Sequence, residues 1–181
     1  MKFLSDCRLL ILAIWLGAAL FFIGVAQSAF AVLPSREMAG SVVNRTLSIL
    51  NYGGLTIGLI LVLTSLVTRG AANRILLWTE RVLLVIIVAA CAIGQFVIGL
   101  WMQFTRAQMG GRAIDDLAAD DPLRVQFNNL HEYSVWVLMA GMIAAMLAFF
   151  LIANRRAGTA AATSQTTTSD PFDFSKEFKK S

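Results

Sequence analysis

The chain has 181 residues, 57% of them hydrophobic and 14% charged, with a mean hydropathy of +0.71. Soluble domains carry about 25% charged residues, so the composition excludes an ordinary water-soluble fold and points to a membrane protein. The formal charge of +4 would raise nucleic-acid binding in a soluble protein. Here the basic residues are scattered over loops and helix ends, and no nucleic-acid partner is expected.

The apolar residues fall in four long blocks, which predicts one all-α, integral membrane four-helix bundle over residues 1–156 rather than two domains. The first block, about residues 9–33, carries no charge, and at about 1.5 Å per residue it exceeds a hydrocarbon core of roughly 30 Å. Lys2 in front and Ala29-Phe30-Ala31 behind imitate a cleaved secretory signal. Signal cores run only about 7 to 15 residues, so the block is read as a retained helix. The second block covers about 47–67, the third about 75–104 and the fourth about 133–153, which ends at Arg155-Arg156. Cys7 and Cys91 lie at the start of the first block and inside the third, and no disulfide framework is implied.

The connections are polar and carry helix signals. Pro34 and Ser35 break the first helix, and Ser35 is placed to cap a second that begins near Arg36 and enters the membrane only at Leu47. The connection after the third block holds Gly110-Gly111 and the acidic group Asp115, Asp116, Asp120 and Asp121. Asp121 followed by Pro122 reads as an N-cap and first helical residue, and no breaker follows until the fourth block ends, so one long helix is predicted there. Residues 157–181, rich in Ala, Ser and Thr, are predicted to be a disordered cytoplasmic tail. Its Phe172, Phe174 and Phe178 beside Lys176, Lys179 and Lys180 read as a solubilising end rather than an anchor on an anionic leaflet.

Lysine and arginine set the orientation. Lys2, Arg8, Arg69, Arg74, Arg81, Arg155, Arg156, Lys176, Lys179 and Lys180 fall on one side, against Arg36, Arg45, Arg106, Arg112 and Arg124 on the other. The richer side is read as cytoplasmic, which places both termini and the middle loop inside a plasma (inner) membrane. The connections around Arg36 and Asp115 then lie outside.

Several local patterns occur in one order: Trp15-Leu16-Gly17 with Phe21-Phe22, then residues 33–40 with Arg45, then Gln95-Phe96, and last Asp121-Pro122 with Arg124, Phe127, Leu130-His131 and Ser134. In these the chain resembles the transmembrane-protein-205-like family, catalogued as domain of unknown function 4149, over about residues 8–153. The resemblance implies a small four-helix membrane protein and no agreed biochemical activity. Bacterial relatives tend to carry His after the Leu corresponding to Leu50, where this chain has Asn51, and Pro at the position of Leu100. With His131 the one histidine in the chain, a two-histidine metal or haem site is not expected.

His131 shares a helix face with Phe127 and Ser134, with Arg124 two turns earlier. Its imidazole can bind a metal, donate to a carboxylate such as Glu37, or titrate near neutral pH. The reading preferred is a buried hydrogen bond tying the fourth helix to the foot of the second. Arg36, Glu37 and Arg45 stand at that foot, where Arg commonly snorkels to lipid phosphate. The sharper expectation pairs Glu37 or Asp121 with Arg45 or Arg124 across the two connections.

Within the spans the polar residues are Gln27, Asn51, Thr64, Ser65 and Gln95, and no charged residue is expected at depth. That weighs against proton pumping or ion coupling, which place ionisable groups there. Gln95 is expected to bridge two helices, and Gly54 and Gly58 form a GxxxG that permits close approach. Met139, Met142 and Met146 along one face suit either core filling, the preferred reading, or a soft metal such as Cu(I).

No catalytic constellation, metal ligand set or cofactor motif is present in the sequence. The reading is therefore a non-enzymatic membrane module in contact with the lipid bilayer, working as a homo-oligomer or with a membrane partner protein through an outer polar cluster of Arg36, Glu37, Arg45, Gln95, Asp121, Arg124, His131 and Ser134. The alternative is a small transporter or soft-metal handling membrane protein.

Overall fold

The computed structural model describes residues 2–67 and 74–167, with side chains described over 3–66 and 74–154. All regular structure among the described residues is helical. Helix α1, Lys2–Val32, stops where Pro34, which has no backbone N–H, cannot extend the hydrogen-bond ladder. Ser35 Oγ then accepts from the Met38 N–H at 3.2 Å and caps α2, Arg36–Val67, as its position implies.

The third stretch is continuous but not uniform. Helix α3, Arg74–Ala92, passes through a π-helical turn at Ile93–Ile98 into α4, Gly99–Gln108. The Gly99 N–H reaches the carbonyl of Gly94 rather than that of Gln95, so one extra residue is accommodated and the face presented to the neighbours is reset. Gly110 and Gly111, at φ of 62° and 82°, end α4 in a left-handed conformation that favours glycine. A short 3₁₀ turn, Ile114–Asp116, follows. Asp121 Oδ1 accepts from the Leu123 N–H at 2.8 Å and starts α5, Pro122–Thr167.

Helix α5 runs past Arg155-Arg156 to Thr167, into the segment where a disordered tail is expected from residue 157. Ala157 and Ala160 to Ala162 are strong helix formers, Gly158 is a single weak point, and the next proline is Pro171. The remainder of the tail, from residue 168, and the middle loop with Arg69 lie outside the described residues.

Four helical stretches are long and apolar enough to cross a membrane: Phe3–Val32, Arg36–Leu66, Arg74–Gln108 and Pro122–Asn154. They form a ring in which α1 packs on α2 and α5, and α3 packs on the same two. The buried positions recur at alternating steps of three and four residues: Arg8, Leu12, Trp15, Ala19 and Phe22 on α1, and Gly141, Ala145, Ala148 and Ile152 on α5. That spacing is the seam of a left-handed helix bundle. Large apolar side chains such as Phe21, Leu63, Ile75 and Trp136 point outward instead. The end where α1 begins is the terminal end; the opposite one, closed by the α4–α5 connection, is the lid end.

Candidate functional site

Three polar arrangements lie along the bundle's height. At the terminal end, Arg8 of α1 donates through Nη2 to Glu80 Oε1 of α3 and, at 3.4 Å, to the Leu61 carbonyl of α2. Arg81 Nη2 donates to the Ser65 carbonyl at 3.1 Å, adding a second α3–α2 tie. Glu80 and Ser65 are fully buried and Arg8 is nearly so. This corrects the expectation that no charged residue lies inside the spans. Arg8 and Glu80 each stand six residues into their helices, and both helices start at this end, so the two charges share one level.

At mid-height, α1 and α2 interlock. The Trp15 indole N–H donates to the Leu50 carbonyl at 3.2 Å, and the indole lies directly over Gly54. A Cβ on Gly54 would meet the indole nitrogen and sit 2.5 Å from Cys91 Sγ; one on Gly58 would sit 2.6 Å from Val88 Cγ2. The GxxxG pair thus works within the chain, letting α1 and α3 approach α2. Asn51, at the midpoint of α2, is 5% exposed, and no hydrogen bond reaches its carboxamide among the described residues. It faces the π turn, where a Cβ on Gly94 would lie 3.2 Å from Asn51 Nδ2. Gln95 on the same turn is half-buried, and its expected bridge between helices is not made.

The lid end is closed by side chains of the α4–α5 connection. Leu117 is buried with Met109 and Phe127, backed by Met102, Ile114 and Leu123. The Arg106 guanidinium stacks 5.1 Å from the centre of the Phe127 ring. It also reaches α2, where Gly40 leaves room for it: a Cβ there would lie 3.2 Å from Arg106 Nη2.

The predicted polar cluster divides into bonded and free members. Arg36 pairs with Asp115 at 3.2 Å, both exposed, in place of any pairing of Glu37 or Asp121 with Arg45 or Arg124. Arg124 Nη1 donates to the Leu117 carbonyl at 2.7 Å and holds the lid, while Asp121 is committed to its cap. The half-buried Ser134 donates to the His131 carbonyl at 2.7 Å. His131 itself is exposed, so the buried hydrogen bond to the foot of α2 is not formed. Its position on α5 follows from the seam: Phe127, Leu130 and Ser134 take the inward steps, and residue 131 turns out. Glu37 and Arg45 are likewise exposed and have no side-chain partner among the described residues.

Met139 and Met146 face outward and only Met142 packs against the core, which corrects their reading as core filler. Among the described residues no group of three or more His, Cys, Asp or Glu is placed to hold a metal ion. Both cysteines are free. The residues that sequence reasoning missed are Arg8, Glu80 and Arg81; their matching depth from two helix starts was the signal available.

Among the described residues the chain is all-helical, with four helices long and apolar enough to cross a membrane around an internally bonded core, the architecture of a four-span membrane protein. The family described as Domain of unknown function (DUF4149) matches residues 10–110, more than half of the chain, and the chain belongs to it. The match takes in Trp15, the Pro34 to Arg45 segment, Asn51 and the π turn, and it stops before the Asp121 to Ser134 segment. No curated protein and no solved structure matches the chain.

Proposed function

We propose that the chain is a non-enzymatic, transmembrane-protein-205-like module of the plasma (inner) membrane, with both termini in the cytoplasm, that joins a partner membrane protein or further copies of itself through its lid end. The observation that carries this reading is the division of the polar cluster. Arg36, Asp115, Asp121 and Arg124 are spent on bonds within the chain, whereas Glu37, Arg45 and His131 are exposed and uncommitted among the described residues. Arg45 and His131 each lie nine residues into their helices from the lid end, about 14 Å at 1.5 Å per residue. That is the level of a headgroup boundary, where a neighbouring membrane protein presents its own polar groups. The orientation is supported by the excess of Lys and Arg at the terminal end.

Purification of the full chain from its native membrane in mild detergent tests the reading. A companion protein or an oligomer at fixed stoichiometry is expected, and the combined Glu37→Ala, Arg45→Ala and His131→Ala variant should release it with the bundle still folded. A monomer without a stoichiometric companion overturns the proposal.

A further inference from the structure

The carboxamide of Asn51 is a buried polar group at mid-height whose hydrogen-bonding capacity is left unused among the described residues. It is 5% exposed, and no other described side chain or backbone group bonds it. An amide offers two N–H donors and a carbonyl acceptor, and burying one without partners is costly. Asn51 does not face packed hydrocarbon, however. It lines a small, partly open cavity between α1, α2, α3, the π turn and α5, with about 10 Å³ of room for the centre of a water molecule. A site needs on the order of 10 to 15 Å³ by this measure to hold one water, together with two or more polar neighbours.

The walls supply them. Ser134 of α5 lines the same cavity; its hydroxyl proton goes to the His131 carbonyl, which leaves the oxygen lone pairs to accept. The Cys91 thiol is a weak further partner on the wall. Gly94 has no side chain, and this keeps the space beside Asn51 Nδ2 open: a methyl group there would lie 3.2 Å from that nitrogen. Gly94 follows Leu84, Ile87 and Cys91 on the inward three-four spacing of α3, so a bare Cα rather than a side chain meets the carboxamide.

We propose that this cavity is a hydration site for a single water, which accepts from Asn51 Nδ2 and donates to Ser134 Oγ, and so bridges α2 to α5 at the middle of the bundle. The site is independent of the partner contacts proposed at the lid end. In a bundle surrounded by lipid, such a bridge supplies an interhelical polar tie that apolar packing does not.

The test uses the full-length chain in lipid nanodiscs with ¹⁵N-labelled asparagine side chains, the Asn51 signal being assigned by its loss in Asn51→Leu. Rotating-frame Overhauser spectra distinguish a bound water, whose cross-peak has the sign opposite to the diagonal, from mere proton exchange. Wild type should show such a cross-peak between water and the Asn51 side-chain protons. Gly94→Ala, which fills the space, should lose it while the other asparagine signals stay in place. Absence of the cross-peak in the wild type overturns the proposal, and so does its full retention in a folded Gly94→Ala. If Gly94→Ala does not fold, the wild-type spectrum alone decides.

Discussion

Arg8 and Glu80, 72 positions apart in the chain, form a buried ion pair that joins α1 to α3 at the terminal end of the bundle. Each charge has left water, and the attraction compensates only while both partners are present. Removing one should therefore be worse than removing both. Arg8→Met and Glu80→Met are each expected to cost about 3 to 5 kcal/mol, and the double variant less than either single one. Unfolding followed by circular dichroism in detergent measures all three; additive losses would mean that the two side chains act separately.

Gly54 makes a second sharp prediction. Any side chain there collides with the Trp15 indole and Cys91 Sγ, so Gly54→Ala should destabilise by about 1 to 3 kcal/mol, the usual penalty for overpacking. Gly53 is the internal control, because a Cβ at that position meets nothing within 4 Å. Gly53→Ala should leave stability unchanged or raise it slightly, since alanine is the better helix former. Equal melting temperatures for the two variants would show that Trp15 does not sit on α2 as described.

The exposed His131 predicts the opposite of a buried tie. His131→Ala in the isolated protein should alter stability by no more than about 0.5 kcal/mol, as surface substitutions do. A loss of several times that size would require a buried partner for the imidazole.

At the lid end, the bonds differ in worth. Arg36 and Asp115 are exposed, with side-chain exposures of 74% and 48%, and solvent screens such a pair, so Arg36→Ala should change little. Asp121→Ala removes the cap of α5 and should cost about 1 kcal/mol. Amide hydrogen exchange at Leu123 reports the second effect directly, with faster exchange in Asp121→Ala than in Arg36→Ala.

The proposed orientation has its own measurement. A cysteine at the exposed Ala119 of the lid should react with an impermeant thiol reagent from outside intact cells, while a reporter fused after Ser181 behaves as cytoplasmic. Protection of residue 119 together with an external reporter would invert the topology.

Four helices of membrane length, the caps at Ser35 and Asp121 and the uninterrupted α5 were legible in the sequence, because each depends on neighbours within a few residues: runs of apolar side chains, a proline that cannot donate, a hydroxyl or carboxylate placed before a first turn. The end of α5 was not legible: disorder was expected from residue 157, and the helix runs on to Thr167. What only the tertiary structure decided was which side of each helix faces its neighbours. The three-four seam turns His131 outward and Glu80 inward, although one stands in a polar stretch and the other at the start of an apolar span. The fold also pairs Arg36 with Asp115, where Glu37 or Asp121 was expected to pair with Arg45 or Arg124, and sets Gly94 against Asn51. Pairings of this kind depend on rotation about helix axes and on depth along them, and those are settled by the packing of all four helices together.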